Sequence, residues 1–381
     1  MITRLLIFLN LSECKQSMCL CPQMLNLKVS ARWKRDDGQT VELDHRLLQT
    51  LQAIQAQGSI SLACKTLGVS YRTLWAQIQQ YNQLIGEEVV ATHGRAGACL
   101  TRFGHKLLWM VEQGNVRIAP ELGTVGEQLN AEWLDADTNK PWISMAMSDD
   151  LVLQQLFQNT PLYKQLQVSL RWSGSIAALS ALHRGEVRVA GCHLPMGQQD
   201  HSHVHQIMRR WLRGTNLSVI ELFEREIGWI SRPSETPPTL GDVARRRALL
   251  VNRNSASSTH HQLNALISQA CLSPEDLPGY YHEENSHMAV ACTIAAGHGD
   301  LGLGIRAAAA HYGLQFRHVS QEQYFLVLHT DDLSFPAIKV LLPWLKSTEV
   351  KTTVQGTAGY SAQRLGDVHA LEIFLNKLTD C

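Results

Sequence analysis

The chain has 381 residues, 34 Lys/Arg against 34 Asp/Glu, and 45% hydrophobic residues. That length holds two or three domains, and that apolar content excludes a chain that is disordered in bulk. A net charge of zero excludes a general polyanion binder, so any affinity for nucleic acid is local. The nine cysteines show no paired spacing. A reducing, cytoplasmic setting is therefore expected, not a disulfide framework. Cys19 and Cys21 stand too close together for a metal pair.

In chain order, Leu5 to Leu9 is an apolar run behind a single arginine. It is too short to span a membrane and lacks a signal-peptide cleavage site. Residues 1–23 are expected to be disordered, or absent if Met24 is the true start. The next domain is expected over residues 24–105. Between Lys28 and Lys106, ten Lys/Arg stand against six Asp/Glu, an excess whose sign suits phosphate.

Within it, Gly58 to Gly104 carries a helix-turn-helix pattern. Ser59 can cap a helix to Leu67, with Ile60, Ala63, Cys64 and Leu67 on one face. Gly68 ends it, because the turn needs a residue that tolerates positive φ. Ser70 caps a second helix, Tyr71 to about Ile85, with Leu74, Ile78, Tyr81 and Ile85 inward. Its other face begins with Tyr71, Arg72, Thr73, Ala76 and Gln77. A recognition helix presents its N-terminal residues to base edges, where Arg pairs with guanine and Gln with adenine. Ser70, Tyr71, Arg72, Thr73 and Gln77 are the expected DNA-reading set. Val89 to Leu100 reads as a β-hairpin wing, with Arg95 near a phosphate. An ordinary helical hairpin with a solvated charged face is the bland alternative.

This segment resembles the N-terminal domain of the molybdate-responsive, ModE-type regulators, and more distantly the LysR-type regulators. The matching residues are Gly58-Ser59-Ile60-Ser61, Leu67-Gly68-Val69-Ser70-Tyr71-Arg72, Trp75, Asn82, Gly86 and Leu100-Thr101-x-Phe103-Gly104. The wing departs from that pattern, being shorter and poorer in glycine. The resemblance implies double-stranded DNA as a partner.

From Phe103 to Trp133 apolar residues keep mostly helical spacing, with Pro120 and Gly123 expected to bend or interrupt the helix. Residues 106–140 are expected to be a linker that dimerises the chain, since such modules bind paired half-sites.

From Pro141 short apolar runs alternate with helical patterns. The strands are read at Trp142–Met147, Val168–Trp172, Val187–Ala190, Ile227–Ile230, Ala248–Val251, Leu301–Ile305 and Tyr324–His329. This predicts an α/β fold with largely parallel sheets in two lobes, 142–225 and 248–318, the chain returning to the first through 319–345. Four helices begin beside a hydroxyl: Ser148, Ser175, the run Ser255 to Thr259, and Ser286 before His287. Helix N-termini carry unpaired donors and partial positive charge. Ser148, Ser175, Ser257, Thr259 and His287 are the candidate ligand-binding residues, although each serine alone is more simply a cap.

Residues 142–368 resemble a type 2 periplasmic-binding-protein-like domain, of the kind fused to ModE-like helix-turn-helix domains. The matching pieces include Ser148-Asp149-Asp150, Gly174-Ser175, Ala190-Gly191-Cys192-His193-Leu194, Arg225-Glu226-x-Gly228, Val251-Asn252-Arg253 and Glu283-Glu284-x-Ser286-His287. Where the family tends to read Gly-Ser-Gly-Thr-Arg, this chain has Ala256-Ser257-Ser258-Thr259-His260. The resemblance implies a two-lobed ligand domain over 141–368, followed by a tail over 369–381. It implies molybdate, tungstate or a related oxyanion as effector and no covalent cofactor. An organic, pterin-like ligand, or no ligand, is the alternative, and an enzyme using the cleft is the third reading.

Other constellations are weaker. His201, His203 and His205 share a face only on a strand, and their polar neighbours read as a loop. Cys192-His193 lacks an orienting third group for a nucleophile. Glu283, Glu284 and His287 form an acid/base or metal set on paper, yet read better as helix-end contacts. No catalytic residue and no metal site is expected. The chain reads as an N-terminal winged helix-turn-helix and a C-terminal α/β two-lobed ligand domain, a regulator and not an enzyme.

Overall fold

The computed structural model describes residues 5–11, 27–35, 37–92, 97–134, 140–158, 160–196, 216–255 and 257–379. They form two compact units that divide at Ala119/Pro120.

In the first unit β1 (Leu5–Leu11), β2 (Leu27–Lys34) and β3 (Thr40–Leu43) make an antiparallel sheet. Part of the start expected to lack structure is thus a strand, paired with β2 along its whole length. Its Ile7 and Phe8 are residues that favour a pleated ladder. The helices α1 (His45–Gln57), α2 (Ile60–Leu67) and α3 (Tyr71–Ile85) follow. Asp44, Ser59 and Ser70 cap them, accepting the backbone N–H of Leu47, Leu62 and Thr73. Each such cap is worth about 1 kcal/mol. Gly68 closes α2 at φ 67°, in the left-handed region. The helix α1 was not read from the sequence, although Leu47, Leu51 and Ile54 sit fully buried at helical spacing.

The hairpin β4 (Val90–Thr92) and β5 (Ala98–Leu100) has the antiparallel register of a wing. The Leu100-Thr101-x-Phe103-Gly104 run has a mechanical reason. Thr101 Oγ1 accepts the Gly104 N–H at 3.0 Å and donates to the Glu88 carbonyl at 2.5 Å. A Cβ at Gly104 would lie 2.0 Å from the Val89 carbonyl oxygen. The helix α4 (Arg102–Leu134) then runs unbroken through Pro120 and Gly123, which corrects the expected interruption. One proline removes one ladder donor, and turns on both sides hold the helix.

The second unit contains β6 (Trp142–Ser148), α5 (Leu151–Gln158), β7 (Gln167–Ser173), α6 (Ser175–His183), β8 (Val189–Pro195) and β9 (Leu217–Ser231). Next come α7 (Leu240–Ala244), β10 (Leu250–Arg253), α8 (Ser258–Gln269), β11 (Glu283–Glu284), α9 (His287–Ala295) and β12 (Leu301–Ile305). The rest is α10 (Arg306–His311), β13 (Gln315–His329), α11 (Pro336–Leu345), α12 (Thr348–Gln355), β14 (Tyr360–Ser361), β15 (Val368–Ala370) and α13 (Leu371–Thr379).

One mixed sheet has the order β11-β10-β12-β9-β13-β8-β6-β7. Pairing is parallel within each lobe: β6 with β7 and β8, β10 with β11 and β12. The lobes are joined by β9 and β13, two 15-residue strands that pair antiparallel along nearly their full length. Ile227 to Ser231 of β9 pair with β12 of the second lobe, while Glu322 to Val327 of β13 pair with β8 of the first. Only the apolar ends of these strands are legible in the sequence, because their middles carry Glu221, Glu224, Arg225, Glu226 and Glu322.

The segment expected to be a tail is part of the first lobe. The strand β15 pairs with β9, and Leu371, Phe374, Leu375 and Leu378 of α13 are buried. The Phe325 and Phe374 rings stand 4.7 Å apart, and the buried Glu221 carboxylate takes Lys377 at 3.2 Å and His369 at 2.9 Å.

Candidate functional site

In the first unit α3 shows two faces. Leu74, Ile78, Tyr81 and Ile85 are buried, while Tyr71, Arg72, Thr73 and Ala76 are exposed and Gln77 is half-buried. Ser70 Oγ accepts the Thr73 N–H at 3.1 Å and lies 2.7 Å from Thr73 Oγ1. Both hydroxyls are thus engaged in starting the helix. The Tyr71 and Trp75 rings stack at 11°, which holds the exposed aromatic in place. Tyr81 OH donates to Asp44 Oδ1 at 2.5 Å, tying α3 to the cap of α1. Burial and this carboxylate push the phenol up to about 12. Asn82 Oδ1 accepts the Val89 N–H, so the end of α3 sets the base of the wing. Arg95 lies outside the described residues, as does the His201-Ser202-His203-Val204-His205 run.

In the second unit the strand ends and helix starts converge on the crossing strands. Arg225 of β9 is the largest fully buried side chain. It donates to Asp150 Oδ2 at 2.8 Å and, through Nε and Nη2, to Glu322 Oε2 at 2.9 and 2.7 Å. Burial works against its charge, but Glu322 and Asp150 outweigh that and hold the guanidinium well above its usual range. Asp150 Oδ1 accepts the Val152 and Leu153 N–H groups, and Tyr360 OH donates to Oδ2. Asp150, and not Ser148, therefore caps α5. This corrects the reading of that helix start as an open anion site, since a carboxylate already occupies it. Ser148 ends β6, and its carbonyl accepts Tyr324 OH at 2.6 Å.

Ser175 is buried, but it opens α6 behind Gly174 and makes no cap. Its Oγ instead accepts the His193 N–H at 3.3 Å and lies 3.4 Å from His193 Nδ1. His193 Nε2 reaches Ser258 Oγ of the other lobe at 2.6 Å. Burial first, then Arg225 and Arg253, hold this imidazole neutral, well below its usual range. Ser257 caps α8, accepting the Thr259 N–H at 3.2 Å, and Arg253 Nε points to its Oγ at 3.5 Å. Burial lowers Arg253 to about 10, against the pull of Asp149, which leaves it charged at neutral pH. Ser286 caps α9 through the Ala289 N–H, and His287 behind it is buried and held neutral by burial and by Arg253.

His260, which stands where the resembling family has an arginine, is used up inside its own lobe. Its Nδ1 lies 3.0 Å from the Arg253 carbonyl and its Nε2 3.2 Å from Tyr280 OH. Arg253 instead brings a guanidinium to the start of α8. Glu284 accepts Thr293 Oγ1 at 2.7 Å and so pins β11 to α9, while Glu283 is exposed.

Among the described residues, Arg253 Nη1, Thr259 Oγ1, His287 Nδ1 and Glu322 Oε1 are buried side-chain atoms with no hydrogen-bond partner. An unmet buried polar atom costs about 1–3 kcal/mol, more when charged, so each is an open valence for a water, an ion or a ligand. Thr259 and His287 were read from the sequence. Arg225, Arg253, Asp150, His193 and Glu322 were not. The legible signal was Val251-Asn252-Arg253, an arginine at the C-terminal end of a parallel strand, where such sheets bind ligands.

The two units correspond to the parts of a DNA-binding transcriptional regulator with a ligand-binding domain. Residues 45–105 match the bacterial regulatory helix-turn-helix proteins of the lysR family, and residues 157–346 match the PBP superfamily domain. The chain thus carries a helix-turn-helix segment of lysR type and a PBP-type domain, and part of it is similar to ModE. It is 32% identical over 102 residues to an uncharacterised protein encoded in the 5′ region of a 2Fe-2S ferredoxin gene of Clostridium pasteurianum, covering 26% of this chain and 87% of that one. It is 25% identical over 222 residues to the uncharacterised YvgK of Bacillus subtilis, covering 57% and 68%. It is 36% identical over 73 residues to the dual regulator ModE of Escherichia coli, covering 18% of this chain and 28% of ModE.

Proposed function

We propose that this regulator reads DNA with the start of α3 and answers to a small oxyanion bound in the cleft of the second unit. The DNA reading is supported by the exposed Tyr71, Arg72 and Thr73 on a helix whose other face is core. Arg95, outside the described residues, joins them as a proposed phosphate contact. The observation that carries the ligand reading is the pair of unmet buried donors, Arg253 Nη1 and Thr259 Oγ1, at the N-terminus of α8. Guanidinium and hydroxyl donors at a helix start are the chemistry that holds an oxyanion. Molybdate and tungstate enter as candidates through the ModE resemblance, and ModE is a namesake of molybdenum transport in one relative from Azotobacter vinelandii. Ser148, Ser175, Ser257 and His287 then shape the cleft around these donors.

The regulator works as a cytoplasmic homodimer on paired half-sites, because its partner is duplex DNA. Cleft closure on the effector changes the spacing of the two recognition helices. The test is a thermal-shift series on the full chain with molybdate, tungstate, sulfate, phosphate and pterins. An effector at a hundred times its Kd adds about 2.7 kcal/mol. If only a pterin moves the melting point, the effector is organic and the oxyanion reading is lost.

A further inference from the structure

The fold divides the residues at the start of α3 into two groups. Ser70 and Thr73 are bonded to each other, Oγ to Oγ1 at 2.7 Å, and Ser70 also accepts the Thr73 N–H. The side chain of Gln77 is half-buried and hydrogen-bonded to Tyr81, which in turn donates to Asp44. These side chains are engaged in starting α3 and in fastening it to α1. Tyr71 and Arg72 are not. Both are exposed, and neither makes a side-chain hydrogen bond among the described residues.

Tyr71 is also fixed in direction. It stands 51% exposed at the first position of α3. Four residues on, and so on the same helix face, Trp75 packs against the core of the first unit. The two rings lie 11° from parallel with centroids 6.5 Å apart. The indole backs the phenol ring, so little rotamer freedom remains for Tyr71 to lose on contact. The helix start thus offers a broad apolar ring, and the next residue brings a guanidinium.

In the major groove the bases differ in what they show. Thymine presents an apolar group, its C5 methyl, and guanine presents O6 and N7 to a forked donor. Adenine calls for a side chain that both donates and accepts, and Gln77, the residue of that kind, is engaged on Tyr81.

We propose that α3 reads a thymine beside a guanine, with the Tyr71 ring against the thymine methyl and Arg72 paired with the guanine. Tyr71 is then a specificity-determining residue that acts through its ring and not through its hydroxyl. The inference rests on the reading of α3 as the DNA-contacting helix and narrows it to one base step.

The experiment is selection of duplexes from a random pool by the full chain at fixed salt. Gel shifts follow, in which single thymines of a selected duplex are replaced by uracil, which lacks only the methyl. The selected duplexes should share a thymine–guanine step. Removing the methyl there should weaken binding about 4-fold, the value of one buried methyl group. Tyr71→Phe should keep this sensitivity. Tyr71→Ala, at an exposed position and with an unchanged melting point, should bind more weakly and lose it. Two results overturn the inference and leave DNA reading by α3 standing: no methyl-sensitive thymine in the wild type, or the same sensitivity in Tyr71→Ala. A pool from which no sequence is enriched overturns both.

Discussion

Asp150 and Arg225 form an ion pair of 2.8 Å in which neither side chain is reached by solvent. The same carboxylate caps α5 with its other oxygen. One residue thus ties the first helix of the ligand domain to a strand that crosses between the lobes. Breaking one half of such a pair leaves a buried charge with nothing to answer it. Arg225→Met strands both Asp150 and Glu322, and the expected loss is about 3–5 kcal/mol. Urea unfolding followed by circular dichroism reads it as a lower midpoint. A loss below 1 kcal/mol would mean that the pair does not organise the lobes.

Arg72 stands exposed at the start of α3, where a base contact carries sequence information and a phosphate contact does not. Arg72→Ala should cost about 1–3 kcal/mol of specific DNA binding and relax preference at one base position, with unchanged folding. A gel shift at fixed salt against operator and scrambled DNA measures both. Equal losses on the two DNAs would make Arg72 a phosphate contact.

Gly104 has no room for a side chain, since the Val89 carbonyl oxygen occupies the place of a Cβ at 2.0 Å. Gly104→Ala forces the wing base away from α4, and a destabilisation of about 1–3 kcal/mol is expected. A lowered melting point together with weakened DNA binding is the expected result. A melting point equal to wild type would show that the wing base yields freely.

His193 and His287 are held neutral in the folded state, their pKa values well below the ordinary 6.5 by burial and the neighbouring guanidiniums. The unfolded chain therefore binds protons first as pH falls. Above about 6.5 neither state is protonated and these groups contribute no slope. Below 6.5, and down to the folded pKa values, the unfolded state gains protons that the folded state does not. Stability is then lost by up to about 1.4 kcal/mol per pH unit for each histidine. Urea midpoints between pH 7.5 and 5 should fall, and His193→Gln should flatten that fall. An unchanged slope in the variant would remove His193 from the account.

Thiol chemistry separates the cysteines by place. Cys192 is buried in the core of the first lobe, and burial pushes its thiol far above the usual range. Cys99 and Cys271 are exposed. A disulfide-exchange reagent on the native protein should modify Cys99 and Cys271 first and leave Cys192 until unfolding. Early labelling of Cys192, read by mass spectrometry, would show that the first lobe opens.

Much of this molecule is written in local pattern. Ser59, Gly68 and Ser70 specify two helices and the turn between them, because caps and positive φ are short-range requirements. Alternating apolar runs and helical spacing specify the strands and helices of the two lobes for the same reason. The middles of β9 and β13 were illegible, because Arg225 and Glu322 are charged and a charged residue in sequence reads as surface. Only the fold brings Asp150, Arg225 and Glu322 together across separations of 75 and 97 residues. Serines marked the ligand site in sequence, yet Ser175 and Asp150 show that a helix start can already be spoken for. Which donors remain unmet depends on what every neighbour takes, and that count exists only once the chain has folded.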